Sequence, residues 1–274
     1  MWRWLLLAVL LGSSTSAADA PAAVPDLPAF ARTRWVVEGP EEIVTYLAFD
    51  PDAVRDRLPS GLRFITVGEL AEGGVPWAKE LLGRRPALAS WGVSFLEIVR
   101  ARTFTVDGRA PRWPSHGAVA LWFARIAPAD PGADLGPGRP LLALDLWVSD
   151  RAYAGYMREK GSCARYGDVR LRRESNGRWL GSVNVPDLTV TAACTPRGPV
   201  AGGPMSAGMQ AIFPPANSAV TDTVRVAFAG HREQACGDGT SWELRGTHPI
   251  AGGILLGETS YQYGYHLIGG TYPR

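Results

Sequence analysis

The chain has 274 residues, 46% of them hydrophobic and 20% charged, which is the composition of a globular protein with a substantial core. Its formal net charge is only +2, so composition gives no general reason to expect a nucleic-acid partner. No stretch beyond the N-terminus reaches about 18 consecutive apolar residues, and we therefore expect no membrane-spanning segment in the mature chain.

The N-terminus has the pattern of a secretory signal peptide. Trp2-Arg3-Trp4 supplies a positive charge, Leu5 to Leu11 is a short apolar run, and Ser16-Ala17-Ala18 supplies the small residues of a cleavage site. We expect residues 1–18 to be removed and the protein to be secreted or periplasmic; an uncleaved anchor is the alternative. Residues 19–40 are expected as an extended leader, and residues 41–274 as a single β-rich domain, because no composition shift divides them.

Short elements and turns rich in Gly and Pro alternate through the first half of the chain. Apolar runs predict strands over residues 43–49, 62–67 and 118–126, the last of them buried on both faces. Residues 51–58 are typical of a short helix with Pro51 in its first turn. The first half is therefore predicted to be mostly β-structure with short helices.

Residues 91–106 form the longest predicted strand of this half. Because side chains alternate along a strand, Glu97 shares a face with Phe95, Val99 and Ala101. Desolvation on such a face raises the pKa of a carboxyl group, whereas an ion pair with an arginine across the sheet lowers it. We expect Glu97 to point into a pocket with a raised pKa, and the ion pair is the alternative.

Residues 141–171 are predicted to form a buried strand and a short helix that places Lys160 at its end. An apolar run over 141–148 predicts a buried strand, and a short helix is predicted from residue 151 to Lys160, with Gly161 as its natural end. Lys160 is one of only two lysines in a chain rich in arginine. It is either a functional amine or a cation that offsets the dipole at the end of the helix.

The second half is predicted to consist of strands and turns. Asn176-Gly177 suits the tight turn of a hairpin, and residues 220–229 alternate as a strand should. Tyr261, Tyr263 and Tyr265 recur with a period of two, which predicts one packed face of a strand or, alternatively, a row that stacks on a ligand.

Three cysteines in an exported protein suggest one disulfide and one remaining thiol. Cys194 and Cys236 lie near strand ends in the same half, so we pair them and leave Cys163 free, although spacing alone does not fix the pairing. The chain has no G-x-S-x-G, H-E-x-x-H, P-loop or dinucleotide-binding glycine motif, and its histidines have no ligand spacing. We therefore predict no metal and no cofactor.

Three stretches resemble the acetoacetate decarboxylase-like superfamily. They are the opening strand and short helix in VTYLAFDPDAVRDRLPSGLRF, the glutamate-bearing strand in SFLEIVRARTFTVDGR, and the later segment MREKGSCARYGDVRL. The resemblance spans residues 43–171 and is loose beyond them. It implies an α+β, mostly antiparallel β fold, with a barrel- or cone-like sheet, a few short helices and a central pocket.

The resemblance also implies a site. Glu97 corresponds to a glutamate on the family's long strand, and Arg158-Glu159 resembles the pair that precedes the family's Gly-x-Pro-Lys, whose lysine forms a Schiff base. In this chain that lysine position is occupied by Ala164, and the nearest lysine is Lys160. We take Lys160 and Glu97 as candidate catalytic residues, and Arg158 and Arg165, which flank Lys160, as candidate substrate-binding residues.

Three functions fit these features. The first is an exported protein that acts on a small oxo acid or related carbonyl compound, as a lyase if Lys160 is active. The second is a non-catalytic β-barrel of the cell envelope that binds a small molecule, and the third is a structural envelope protein. The expected partner is a small molecule such as a carboxylate or oxo acid, and the oligomeric state is left open. A buried, cation-flanked Lys160 in a closed pocket would favour the enzyme.

Overall fold

The computed structural model describes residues 33–133, 139–202, 209–213 and 222–272. The predicted signal peptide and most of the predicted leader lie outside these residues. The end of that leader, Thr33–Glu38, is a strand paired on both sides, so the folded domain includes residues before position 41. In the described part of the chain, no helix is long and apolar enough to cross a bilayer.

The described residues form eighteen strands, together with a few short helices. In chain order the strands are β1 (Thr33–Glu38), β2 (Glu41–Phe49), β3 (Leu62–Phe64), β4 (Gly92–Arg100), β5 (Thr103–Val106), β6 (Val119–Pro128), β7 (Arg139–Val148), β8 (Ala164–Tyr166), β9 (Asp168–Arg173), β10 (Trp179–Val185), β11 (Leu188–Cys194), β12 (Pro196–Gly202), β13 (Met209–Phe213), β14 (Asp222–Ala229), β15 (Arg232–Cys236), β16 (Ser241–Gly246), β17 (Ile254–Tyr263) and β18 (His266–Tyr272). The helices are α1 (Val67–Glu72), α2 (Pro76–Arg84) and α3 (Arg151–Glu159), with 3₁₀ helices at Pro51–Arg57, Pro86–Ser90 and Pro249–Gly252.

The strands form a large sheet and a small one. The large sheet has the order β12-β15-β17-β2-β4-β6-β7-β13-β14-β18-β1-β5, with β3 beside β6 and β8 beside β7, and the small sheet has the order β16-β11-β10-β9. Most pairs are antiparallel, whereas β7 runs parallel to both β8 and β13. The α+β, mostly antiparallel fold class is confirmed. Among the described strands the pairings do not close into a barrel, so the large sheet is cone-like.

Local sequence explains where two of the helices begin. The Thr66 side chain accepts from the Glu69 backbone N–H at 3.2 Å, and the Glu69 carboxylate accepts from the Thr66 N–H at 2.8 Å. This capping box starts α1, which is why the strand predicted over residues 62–67 ends early at Phe64. Asp150 caps α3 by accepting from the Tyr153 N–H at 2.8 Å.

The long strand predicted over residues 91–106 is in fact two strands. β4 ends at Arg100, and the Arg102 N–H donates to the carbonyl oxygen of Glu38 at 2.9 Å, which turns the chain towards β1. β5 then pairs with β1 at the far end of the large sheet. The alternation that places Glu97 with Phe95 and Val99 therefore applies only up to residue 100.

The main core lies between the two sheets. One face of β2, β4, β6 and β7, here called the core face, packs against the small sheet; its fully buried members include Ile43, Leu47, Leu96, Ile98, Trp122 and Leu142. The small sheet approaches closely at Gly181 of β10, where an added Cβ would lie 2.9 Å from the Cδ1 atoms of both Ile43 and Ile98. Glycine at this position therefore permits the contact between the sheets.

A disulfide ties the two sheets together. Cys194 ends β11 of the small sheet, Cys236 ends β15 of the large sheet, and their sulfur atoms are 2.02 Å apart. This is the pair that the sequence favoured, and Cys163 is the free thiol among the described residues. Burial raises the pKa of Cys163 to about 12, so this thiol is not activated as a nucleophile.

Replacing Cys194 and Cys236 together by alanine should lower the free energy of unfolding by about 3–4 kcal/mol, because the disulfide closes a loop with a sequence separation of 42. Denaturant unfolding of the oxidised protein and of the double variant measures the difference. Cys163→Ala is the control for loss of a cysteine side chain alone. Equal stability of the oxidised protein and the double variant would contradict a disulfide that stabilises the fold by reducing the conformational entropy of the unfolded chain.

Candidate functional site

The face of β2, β4, β6 and β7 opposite to the core face is here called the inner face. Strand register aligns its side chains in rows. The row through Glu97 consists of Ser260, Val44, Glu97, Leu121, Leu146 and Ala164. The next row consists of Glu233, Gln262, Glu42, Val99, Val119 and Val148. Glu97 and Glu42 are therefore diagonal neighbours on one face.

Part of the inner face remains accessible around Glu97. Phe95, Glu97 and Leu121 lie on central strands, yet each keeps part of its surface accessible. Leu96 and Trp122, their neighbours on the core face, are fully buried. The neighbouring inner-face residues Val119, Leu146 and Ala164 are buried in a hydrophobic cluster with Tyr153 and Met157 of α3, so the accessible part of the inner face is limited to the surroundings of Glu97.

Glu42 and Glu97 form a pair of carboxyl groups with raised pKa values. Burial raises the pKa of Glu42 to about 8; the hydroxyl of Tyr265, which donates to its Oε2 at 2.9 Å, acts in the opposite direction, and the charge of Glu233 adds to the rise. Burial and the charge of Glu42 raise the pKa of Glu97 well above its usual range. One or both carboxyl groups therefore carry a proton near neutral pH.

Polar side chains from β15 and β17 extend this pair. Gln262 donates from its amide nitrogen to Glu233 at 3.3 Å and to Ser260 at 3.1 Å. The amide oxygen of Gln262 lies 2.8 Å from Nε2 of His231, so that ring nitrogen is the donor. Burial raises the pKa of Glu233 as well. The inner face thus carries a connected group of acids and hydrogen-bonding side chains.

Glu97 differs from the other members of this group. In the described part of the chain, no hydrogen bond or ion pair reaches its carboxyl group, and no arginine pairs with it across the sheet. The raised pKa that strand alternation predicts for Glu97 is therefore what the structure shows, and the alternative ion pair is absent from the described residues.

Lys160 is placed away from Glu97. It ends α3, and its Nζ lies 2.8 Å from Oδ2 of Asp107, which follows β5. Hydrogen bonding to Asp107 and the charge of that carboxylate raise the pKa of Lys160, and its side chain stays in contact with water. The structure therefore gives Lys160 the role of a paired surface cation, which is the opposite of the neutral amine that imine formation requires.

The two candidate arginines do not flank an active lysine either. Arg158 donates to the backbone carbonyl of Ala164 at 3.2 Å and so braces the start of β8. Arg165 forms an ion pair with Asp145, a carboxylate of β7 whose side chain is almost fully buried. Neither guanidinium contacts Lys160 or Glu97, so the predicted substrate-binding pair is not assembled around the predicted catalytic residues.

Asp145 is the centre of a second polar cluster. Its Oδ2 lies 2.7 Å from Nη1 of Arg57 and 3.1 Å from Nε2 of His248. The other ring nitrogen of His248 accepts from the backbone N–H of Ile250 at 3.3 Å. Because both ring nitrogens are occupied, His248 acts as a structural link between the Pro249–Gly252 helix and β7 rather than as a base.

Burial keeps His248 uncharged. It lowers the pKa of this histidine to about 4, and the charges of Arg165 and Arg57 add to the effect, whereas Asp187 opposes it. The buried Asp145 carboxylate is thus balanced by two arginines and by a neutral imidazole. This cluster stabilises the fold and is separate from the inner face.

Sequence reasoning missed Glu42 and Tyr265. Glu42 precedes the strand predicted from residue 43, although β2 begins at Glu41. Tyr265 was grouped with Tyr261 and Tyr263, but those two stack on each other with centroids 5.0 Å apart. Gly264, with a φ of +72°, turns the chain between them and Tyr265. Gly264, between Tyr263 and Tyr265, was the feature of the sequence that could have indicated that Tyr265 does not continue the alternation of Tyr261 and Tyr263.

No group of three or more His, Cys, Asp and Glu side chains among the described residues is arranged to hold a metal ion. The inner-face chemistry rests on carboxyl, phenol, amide and imidazole groups.

Known proteins match the chain in structure. No protein-family model and no curated protein matches the sequence. An acetoacetate decarboxylase-like enzyme from Sphingomonas wittichii RW1 has 15% identity and a TM-score of 0.50, with 92% of this chain and 98% of that chain covered. Acetoacetate decarboxylase from Legionella pneumophila has 11% identity and a TM-score of 0.52, with 95% and 98% covered. The enduracididine biosynthesis enzyme MppR, solved with pyruvate, has 14% identity and a TM-score of 0.52, with 94% and 98% covered.

At these identities the likeness concerns the fold, and the chain has an acetoacetate decarboxylase-like fold over nearly its whole length. The structural match extends well beyond residues 43–171, where the sequence resemblance was strongest.

Glu42→Gln should stabilise the protein at about pH 8 by up to about 4 kcal/mol, and the gain should vanish near pH 4–5. The folded state raises the pKa of Glu42 from 4.5 to about 8, so it keeps a proton that the unfolded chain releases. Stability of the wild type therefore falls as pH rises through this window, and glutamine removes the penalty while still accepting from Tyr265. Denaturant unfolding of both proteins at about pH 8 and at about pH 4–5 measures the change in the free energy of unfolding.

Glu41→Gln is the matched control for this experiment. Glu41 is the preceding residue of β2, but it is partly exposed and forms an ion pair with Arg100. Its replacement should give no gain at alkaline pH. A gain from Glu42→Gln that is the same at acidic and alkaline pH would contradict the protonated state assigned to Glu42.

Asp145→Asn should lower the free energy of unfolding by about 2–4 kcal/mol, because Arg57 and Arg165 lose their buried counter-charge. The expected cost is at the lower end for a buried ion pair, since both guanidinium groups are partly exposed to water. Asp168→Asn, which breaks an exposed pair with Arg170, is the control and should change stability little. Equal effects of the two substitutions would contradict the structural role of the Asp145 cluster.

Proposed function

We propose that this protein binds a small organic molecule on the inner face beside Glu97, and that it does so without forming a Schiff base. The observation that carries the proposal is the residue at position 164. Ala164 lies in the same row of the inner face as Glu97, separated from it by Leu121 and Leu146. The resemblance to the decarboxylase-like superfamily puts the reactive lysine at this position, and alanine has no nucleophile.

Neither lysine of the chain offers a substitute. Lys160 is held by Asp107, and its raised pKa keeps it charged at neutral pH. Lys79 is exposed on α2. An amine attacks a carbonyl only in its neutral form, so a catalytic lysine has to be desolvated or placed beside another cation. Both lysines lack that environment, which supports binding without imine formation.

A second candidate is proton-transfer catalysis on a small oxo acid or related carbonyl compound. A carboxyl group that still holds its proton near neutral pH suits a general acid, and the pKa of Glu97 is raised in this way. The match to MppR, solved with pyruvate, adds that this fold accommodates an oxo acid in another protein. Turnover of acetoacetate or pyruvate that is lost in Glu97→Gln would favour this candidate.

We also propose that the chain is exported. The charged start, the apolar run and the small residues at 16–18 support cleavage near Ala18. The Cys194–Cys236 disulfide supports an oxidising compartment outside the cytoplasm. The intact mass of the protein recovered from the envelope or medium tests export, and a mass that includes residues 1–18 would contradict it.

Treatment with pyruvate or acetoacetate followed by borohydride should leave wild-type protein unmodified. Ala164→Lys should gain a stable adduct at residue 164, because the new amine would stand in apolar surroundings in the row of Glu97. Intact-mass and peptide analysis detect the adduct, and circular dichroism checks that the variant is folded. An adduct on wild-type protein that disappears in Lys160→Arg would overturn the proposal.

Binding itself is tested with a neutral probe, cyclohexylmethanol. The broadening of the probe's NMR signals on addition of the protein measures its binding. Leu121 is the cross-strand neighbour of Glu97 on β6, so the bulkier side chain of Leu121→Trp should obstruct access to Glu97 and weaken binding about tenfold or more. Leu255→Trp is the control, since Leu255 is an exposed residue of β17. Unchanged binding in Leu121→Trp would show that the probe occupies another surface.

A further inference from the structure

Glu97 stands among aromatic rings as well as acids. The rings of Tyr46 and Phe95 have centroids 6.1 Å apart, and those of Phe95 and Phe123 are 5.3 Å apart. All three residues lie on the inner face, and Phe95 precedes Glu97 by two residues on β4, about 7 Å along the strand. The carboxyl group of Glu97 thus shares a face with Tyr46 and Phe95, which are partly accessible, whereas Phe123 is buried.

The charge on this part of the inner face is acidic. Glu42, Glu97 and Glu233 lie on it, and the pKa of Glu258 is raised by burial and by the charge of Glu233. On β2, β4 and β17 the inner face carries no lysine or arginine. The cation on β6 is Arg125, four residues beyond Leu121, and it is already engaged by other groups.

This arrangement discriminates between ligands by charge. A carboxylate bound beside Glu97 would add a further negative charge to a site whose carboxyl groups already resist ionisation. An ammonium group would relieve that repulsion and allow Glu97 to ionise. It would also be attracted by the faces of the aromatic rings, which carry negative potential.

We infer that the ligand of the inner face is a small organic cation, an ammonium group on an apolar body, with its N–H donated to Glu97 and its charge over the ring of Phe95. The inference rests on the proposed function, and it differs from the carboxylate or oxo acid that the sequence predicted. Glu97 is the residue that supplies the charge preference, and the partly accessible rings of Tyr46 and Phe95 supply the contact surface.

Three probes of the same shape test the inference: cyclohexylmethylamine, cyclohexylmethanol and cyclohexanecarboxylate. Calorimetric titration at about pH 8 keeps the amine protonated, because alkylammonium groups have a pKa of about 10. The amine should bind about tenfold or more tightly than the alcohol, and the carboxylate should bind most weakly. Glu97→Gln should reduce the preference of amine over alcohol to about twofold or less, whereas the exposed α2 control Glu80→Gln should retain it.

The outcomes separate the inference from the proposed function. If the alcohol or the carboxylate binds as tightly as the amine, the inference fails while binding on the inner face stands. A preference for the amine that persists in Glu97→Gln also overturns the inference, because another group would then provide the charge. If none of the three probes binds, both the proposed function and the inference fail.

Discussion

The alternation of side chains along β2, β4, β6 and β7 is the constraint on which the rest of the structure depends. Their odd and even positions serve two purposes, since one set packs against the small sheet and the other borders the interior of the large sheet. A slip of one residue in any of these strands would exchange the two sets. Glu97 would then enter the main core, and Leu96 would lie on the inner face. The close contact at Gly181 helps to hold this register, because Ile43 and Ile98 pack against it.

Two different solutions keep buried acids stable in this fold. Asp145 of β7 forms ion pairs with Arg57 and Arg165, and its Oδ2 lies 3.1 Å from Nε2 of His248, which burial keeps neutral. Glu42 and Glu97 have no such cations on the described inner face, and burial raises the pKa of both carboxyl groups. The first arrangement joins distant segments of the chain, whereas the second leaves Glu97, which is partly accessible, without a charged partner among the described residues. A carboxylate that is already paired with arginines of its own protein is not free to bind a ligand. This difference is why we propose a binding site on the inner face rather than at Asp145.

Sequence patterns predicted the fold class and the raised pKa of Glu97. The alternation around Glu97 is local and was readable, and so was the Cys194–Cys236 pair. The alignment of Ala164 with Glu97 depends on four strands meeting in register, which no local pattern reveals. The ion pair of Lys160 was not readable from the sequence, because its partner, Asp107, is distant in sequence and becomes its neighbour only after β5 pairs with β1. Long-range pairings of this kind also brought Arg165 to Asp145 and Tyr265 to Glu42.

The central claim is that a ligand occupies the inner face and leaves the core face untouched. Methyl NMR of leucine-labelled protein tests it directly, because Leu121 and Leu96 lie on adjacent strands and point to opposite faces. On addition of cyclohexylmethylamine, the account predicts a shift of the Leu121 methyl signals and none for those of Leu96. Shifts of Leu96 without Leu121, or an unchanged spectrum at saturating probe, would contradict the account.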